Sequence, residues 1–126
     1  MKSSIQANST HVGRIGEELA AQALTVMGYE IIDRNWRGPV GEIDLIARDA
    51  EFIVFVEVKT RRSTKFGAPE EAVGAGKQRR LADTALEYLM RKSQQDKSWR
   101  ADLVAIELSS SNKVIRITHY VGIELL

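Results

Sequence analysis

At 126 residues the chain suits one compact domain with a real core, and 44% hydrophobic with 28% charged residues is ordinary for a globular protein. It has no cysteine, which excludes a disulfide framework, a thiolate metal site and a cysteine nucleophile. The net charge of +1 conceals an asymmetry: residues 1–58 carry 5 Lys/Arg against 9 Asp/Glu, and residues 59–100 carry 11 against 5. A basic segment that begins where an acidic cluster ends suits a protein holding a phosphate backbone beside a metal, although a solvated helix face would look the same.

The opening MKSSIQANST is polar and has no apolar run. Residues 1–10 are therefore expected to be a flexible tail, neither signal peptide nor membrane anchor, with 11–126 as one domain and the cytoplasm as the default location. Ser9 or Thr10 can cap a helix that continues to about Met27, with Ile15, Leu19, Ala23, Val26 and Met27 at helical spacing and Gly28 as its stop. On that helix Glu18 faces water. Glu17 falls on the flank of the stripe and is the glutamate able to reach a site on a sheet. A helix-start glutamate favoured by the dipole is the plainer alternative.

Tyr29 to Arg34 reads as a first strand, and Asn35 to Gly41 as a connection turning at Gly38-Pro39. Trp36 and Arg37 either contact nucleic acid or, for the Trp, pack over a core edge. Two strands follow within Gly41–Arg62, joined by a turn near Arg48-Asp49-Ala50-Glu51. Centring that turn between Ala50 and Glu51 sets Asp44 directly across from Glu57. Glu57 and Lys59 then share one strand face while Val54, Val56 and Val58 take the other. Opposed carboxylates repel, and a cation between them removes the cost.

Thr60 to Gly67 is a basic loop with Arg61, Arg62 and Lys65, an acceptable surface for a nucleic-acid backbone. Pro69-Glu70-Glu71 is a good helix start, Gly74 and Gly76 interrupt it, and a main helix runs from Lys77 to about Lys92. Its buried stripe is Leu81, Ala85, Tyr88 and Leu89, with Lys77, Arg80 and Thr84 on a polar flank. Ala101–Leu108 and Val114–Val121 are two further strands around a Ser109–Asn112 turn. The order is α-β-β-β-α-β-β, an α/β (α+β) mixed sheet with helices against it.

There is no helix-borne His pair, Gly-rich phosphate loop or Gly-x-Ser-x-Gly elbow, so zinc hydrolysis and serine chemistry fit poorly. An all-oxygen site of Asp44 and Glu57, with a main-chain carbonyl near Val58 and with Glu17 acting directly or through water, suits Mg²⁺ or Mn²⁺. Lys59 is placed to orient or deprotonate an attacking water and to stabilise phosphate charge. A structural Asp–Lys or Glu–Lys pair on an exposed sheet face is the competing account of the same residues.

Three strings narrow the choice: Gly13-x-x-Gly16-Glu17, then Gly41-Glu42-Ile43-Asp44-Leu45-Ile46-Ala47, then Val54-Phe55-Val56-Glu57-Val58-Lys59-Thr60-Arg61. Together with Phe66-Gly67, Pro69-x-Glu71-Ala72-Val73, Lys77-x-x-Arg80-Leu81 and Tyr88-Leu89 they resemble the YraN-like family. That family looks like a branch of the PD-(D/E)xK nuclease superfamily, near the archaeal Holliday junction resolvases, and the match covers about residues 11–108. The resemblance implies a restriction-endonuclease-like core. It assigns Asp44, Glu57 and Lys59 to the superfamily's aspartate, acid and lysine, and Glu17 to its first-helix acid. Ile43 stands where a proline would precede the aspartate.

The leading expectation is a Mg²⁺- or Mn²⁺-dependent endodeoxyribonuclease for branched or otherwise structured DNA, with Arg61, Arg62, Lys65, Lys77 and Arg80 contacting DNA. The alternative is a non-catalytic nucleic-acid-binding module of a DNA repair or processing complex, and a purely structural adaptor is the residual one. A homodimer is expected only by analogy with the resolvases.

Overall fold

Seven elements form in the order the pattern predicts: α1 (Ser4–Val26), β1 (Glu30–Arg37), β2 (Glu42–Arg48), β3 (Ile53–Arg61), α2 (Ala75–Arg91), β4 (Trp99–Leu108) and β5 (Val114–Tyr120). The structure, a computed structural model, describes residues 4–62 and 75–125. The strands lie in sequence order in one five-stranded sheet, antiparallel throughout except between β3 and β4. A parallel pair needs a crossover, and the segment containing α2 supplies it. The Pro69-Glu70-Glu71 helix start falls outside the described residues.

The sheet separates two apolar layers. Ala20, Ala21 and Leu24 of α1 pack on Leu45, Ala47, Val54, Val56, Val58, Val104, Ile106 and Leu108. On the other face Leu81, Ala85, Tyr88 and Leu89 of α2 pack with Ile43, Ile46, Ile53, Phe55 and Ala101. Covered from both sides, β3 is buried continuously from Ile53 to Val58, as a central strand next to a parallel neighbour should be. Each large side chain buried this way contributes about 1.5–3 kcal/mol. Tyr88 organises the second layer, meeting Trp36 edge-on at 5.2 Å and Phe55 at 5.7 Å between ring centroids.

Four local expectations need correction. The first helix begins at Ser4, not at a Ser9 or Thr10 cap, so part of the expected tail is helical. Ser, Asn and Thr are weak helix formers but not breakers, and a helix nucleated by the packed turns downstream propagates through them. Its buried stripe is Ala20, Ala21 and Leu24, whereas Val26 and Met27 are 88% and 58% exposed. Leu24 is buried beside the small Ala20 and Ala21, and Ile15 and Leu19 of the expected stripe pack against the same core.

β1 continues through Asn35, Trp36 and Arg37, which were expected to form a connection. Trp36 packs against Tyr88 from within the strand, and the chain turns only at Gly38, whose N–H reaches the Gly41 carbonyl at 2.8 Å. Thr84, placed on a polar flank, is wholly buried; its hydroxyl donates to the Arg80 carbonyl at 2.7 Å. A threonine can close that bond within its own helix and so tolerate burial.

Candidate active site

The turn between β2 and β3 is held by Asp49, whose Oδ1 accepts the Glu51 and Phe52 N–H groups at 2.8 and 2.7 Å. That Asx turn sets the register Arg48↔Ile53, Ala47↔Val54, Ile46↔Phe55 and Leu45↔Val56. The next position in the same register is Asp44 opposite Glu57. The ladder stops at Leu45↔Val56, although β2 runs back to Glu42 and β3 on to Arg61. Past that point the Asp44 carboxylate takes the place of a backbone carbonyl: Oδ2 accepts the Val58 N–H at 2.8 Å. Two strands part, and an acid fills the gap.

Glu57 is 6% exposed and Asp44 half-buried, and both line a cleft of about 310 Å³ with Gly41, Glu42, Arg80 and Leu81. Two glycines let the helices close on this point from opposite faces. A Cβ at Gly16 would overlap the Thr60 hydroxyl, so only glycine lets α1 lie this close to the end of β3. A Cβ at Gly41 would stand 2.9 Å from Thr84 Oγ1, so glycine also brings the start of β2 against α2 and Arg80.

Glu17 follows Gly16 and precedes Ala20, Ala21 and Leu24 by three, four and seven residues, which puts it on the packed face of α1. Burial pushes its carboxyl above the ordinary value of 4.5, and the charges of Glu42 and Glu57 push the same way, against a hydrogen bond from Asn35 and the charge of Arg14. Glu18, by contrast, is exposed and held by Arg34 at 2.7 Å.

The remaining residues are distributed as follows. Lys59 is half-buried two residues beyond Glu57 and shares its strand face by alternation. Arg80 reaches the acidic cleft from α2. Arg61 ends β3, and Arg62 donates to Asn112 Oδ1 at 3.0 Å, beside the β4–β5 turn. Lys65 lies outside the described residues, as does the side chain of Lys77.

Carboxylate oxygens are the donors a hard divalent cation selects, and Glu42, Asp44 and Glu57 on one cleft fit that chemistry. Among the described residues no three His, Asp or Glu side chains already converge into a finished cage. An ion here would complete its shell with main-chain oxygen and water, as Mg²⁺ commonly does.

A family model described as uncharacterised protein family UPF0102 matches residues 16–106, which include Glu17, Glu42, Asp44, Glu57, Lys59 and Arg80. The chain belongs to the UPF0102 family. It is 54% identical over 99 residues to a UPF0102 protein of Symbiobacterium thermophilum, covering 79% of this chain and 84% of that one. A second, from Caldicellulosiruptor saccharolyticus, is 44% identical over 110 residues, 87% and 93% of the two chains. Among solved structures, Pyrococcus furiosus SfsA in complex with Ca²⁺ is a loose resemblance: TM-score 0.40 and 15% identity over 98% of this chain and 66% of that one.

The structure adds two residues to the candidate site that sequence reasoning passed over. Glu42 lines the cleft with Asp44 and Glu57, and standing two positions before Asp44 on a strand it carried a readable signal. Asn35 carried none, because its place depends on an unusual backbone angle and on residues distant in sequence. Among the described residues no helix is long and apolar enough to cross a membrane.

Proposed function

We propose that this chain is a divalent-metal-dependent nuclease that hydrolyses DNA phosphodiester bonds, with branched or structured DNA as its preferred substrate. The observation that carries the reading is the opposition of Asp44 and Glu57 where β2 and β3 part, in one cleft with Arg80. Asp44 and Glu57 would hold the cation, with Glu17 acting directly or through a bound water. The cation, when bound, supplies a Lewis acid that offsets charge on the phosphate oxygens. Lys59 orients the attacking water and meets the charge that develops on phosphorus-bound oxygen. Arg80 holds the substrate phosphate against the acids; its planar fork suits two phosphate oxygens at once. The basic segment that begins at Lys59 supplies the sequence-independent attraction for the rest of the strand.

The absence of a finished three-acid cage among the described residues favours a second reading, a module that binds nucleic acid without cutting it. The two part in one experiment. Purified protein is titrated with labelled four-way-junction DNA in Mn²⁺ or EDTA, and both binding and cutting are scored. The nuclease cuts only with metal. The module binds equally in both and never cuts.

A further inference from the structure

Asn35 stands inside β1 with φ of 49°, in the left-handed region that asparagine tolerates better than most side chains. It lies between Arg34, paired with Leu45, and Trp36, paired with Ile43, and so stands across from Asp44. With its amide nitrogen turned toward the acids, Nδ2 lies 3.1 Å from Glu17 Oε1 and 3.2 Å from Glu42 Oε1. The reverse orientation would set the amide oxygen against two carboxylate oxygens. One amide thus bridges acids carried on two separate elements, α1 and β2. Glu42 is fixed from its other side by Arg37, whose Nη2 donates to Oε2 at 2.9 Å. The connection runs Arg37–Glu42–Asn35–Glu17, from the edge hairpin to the helix.

We propose that Asn35 is a positioning residue: it ties Glu17 to Glu42 and so holds the Glu17 carboxylate beside Asp44 and Glu57 for a divalent cation. This inference rests on the metal-dependent reading above. Glu17 sits on a side chain with three rotatable torsions, and helix geometry alone places its Cβ, not its oxygens. The amide engages one oxygen of each acid and relieves their mutual repulsion. The other Glu17 oxygen is left to serve the cation or its water. The left-handed φ turns the Asn35 side chain out of the regular strand alternation and toward the helix. Partners of this kind, which orient a ligand without touching the metal, change metal affinity by about 10–100-fold when removed.

Asn35→Gly tests this, because glycine accepts the backbone angle and removes only the amide. Mn²⁺ affinity is measured by calorimetry on wild type, Asn35→Gly, Glu17→Gln and the double variant, with Asp44→Ala as the reference for the site. The expected result is about tenfold weaker binding for Asn35→Gly. In the Glu17→Gln background the same change should have no further effect, because Asn35 acts through Glu17. Unchanged affinity in Asn35→Gly, or an equal loss in both backgrounds, overturns the inference. Wild type that binds no Mn²⁺, or Asp44→Ala that binds it as well, removes the metal reading itself and is distinguishable on that account. A second measurement needs no change at position 35: in metal-free protein the Asn35 side-chain amide resonances should shift in Glu17→Ala. Resonances that stay in place overturn the inference as well.

Discussion

The Val58 N–H donates to Asp44 Oδ2 at 2.8 Å, fourteen residues back along the chain and across the gap where the β2–β3 ladder ends. That single bond does two things. It satisfies a backbone donor that has lost its strand partner, and it fixes an acid opposite a nearly buried second acid. The two acids share their cleft with Arg80, so the site brings negative and positive side chains together.

The metal reading predicts different responses of wild type and Asp44→Asn to a divalent cation. Without divalent cation, Asp44→Asn should melt close to wild type, since the amide oxygen still accepts the Val58 N–H. With excess Mn²⁺, wild type should gain about 2–4 kcal/mol, as for a ligand at 100–1,000 times its Kd, and Asp44→Asn should not. Paired melts with and without Mn²⁺ measure this. Equal Mn²⁺ shifts for the two proteins would remove Asp44 from the site.

Gly16 is where α1 comes closest to Thr60 of β3. Gly16→Ala forces a methyl into the Thr60 hydroxyl and should destabilise the fold by about 1–3 kcal/mol while lifting Glu17 off the sheet. Thr60→Gly in the same chain should return most of that loss. Urea denaturation of the single and double variants tests the pair, and additive losses would mean that the two residues do not touch.

Register and helix faces differ in how far they could be read in advance. The polar break Arg48–Glu51 and the two apolar runs around it sufficed to place Asp44 opposite Glu57, because period-two alternation leaves few registers once a turn centre is chosen. The stripe Leu81–Ala85–Tyr88–Leu89 was legible because apolar residues at the 3.6-residue spacing mark one helix face, and all four are buried. On α1 the pattern misled, since Val26 and Met27 are large and apolar but exposed, while Ala20 and Ala21 are small and packed. Hydrophobicity marks what can be buried; the close approach allowed by Gly16 decides what is. Gly38-Pro39 marked a turn correctly but made the preceding Asn35–Arg37 look like loop, and the Asn35 bridge was lost with it.

Away from the site, a second network predicts the acid limb of stability. Asp102 is wholly buried and accepts from Arg100 at 3.0 Å, from the Gly122 N–H at 2.9 Å, and meets His119 Nε2 at 2.7 Å. Burial pushes its carboxyl up, but the bonds from His119, Arg100 and Gly122 outweigh it and hold the group below its ordinary 3.8. The folded state therefore binds this proton less readily than the unfolded chain. The stability it contributes is complete above about pH 4 and is lost as pH falls through the depressed folded value. Asp102→Asn should lower stability near neutrality, because it takes the nearer carboxylate from Arg100 and leaves it with Asp49 at 3.7 Å and the Tyr29 hydroxyl. It should also flatten the acid limb in urea titrations from pH 6 to 3. An unchanged limb would assign acid unfolding elsewhere.

Arg80 separates holding from cutting. Arg80→Ala should weaken DNA binding modestly and reduce its salt dependence by about one phosphate contact. Its cutting should fall much further than its binding, because the side chain shares the cleft with Asp44 and Glu57. Binding isotherms at several salt concentrations beside single-turnover cutting rates give both numbers. Loss of binding and of cutting in equal proportion would make Arg80 an ordinary backbone contact.

The most direct test of the central claim is cleavage. Single-stranded, duplex, flapped and four-way-junction DNA are incubated with purified protein in Mg²⁺, Mn²⁺ or EDTA, beside Asp44→Asn and Lys59→Ala. The prediction is metal-dependent cutting, strongest on the branched substrates and absent in both variants. Cutting that survives both variants, or binding without cutting on every substrate, would contradict it.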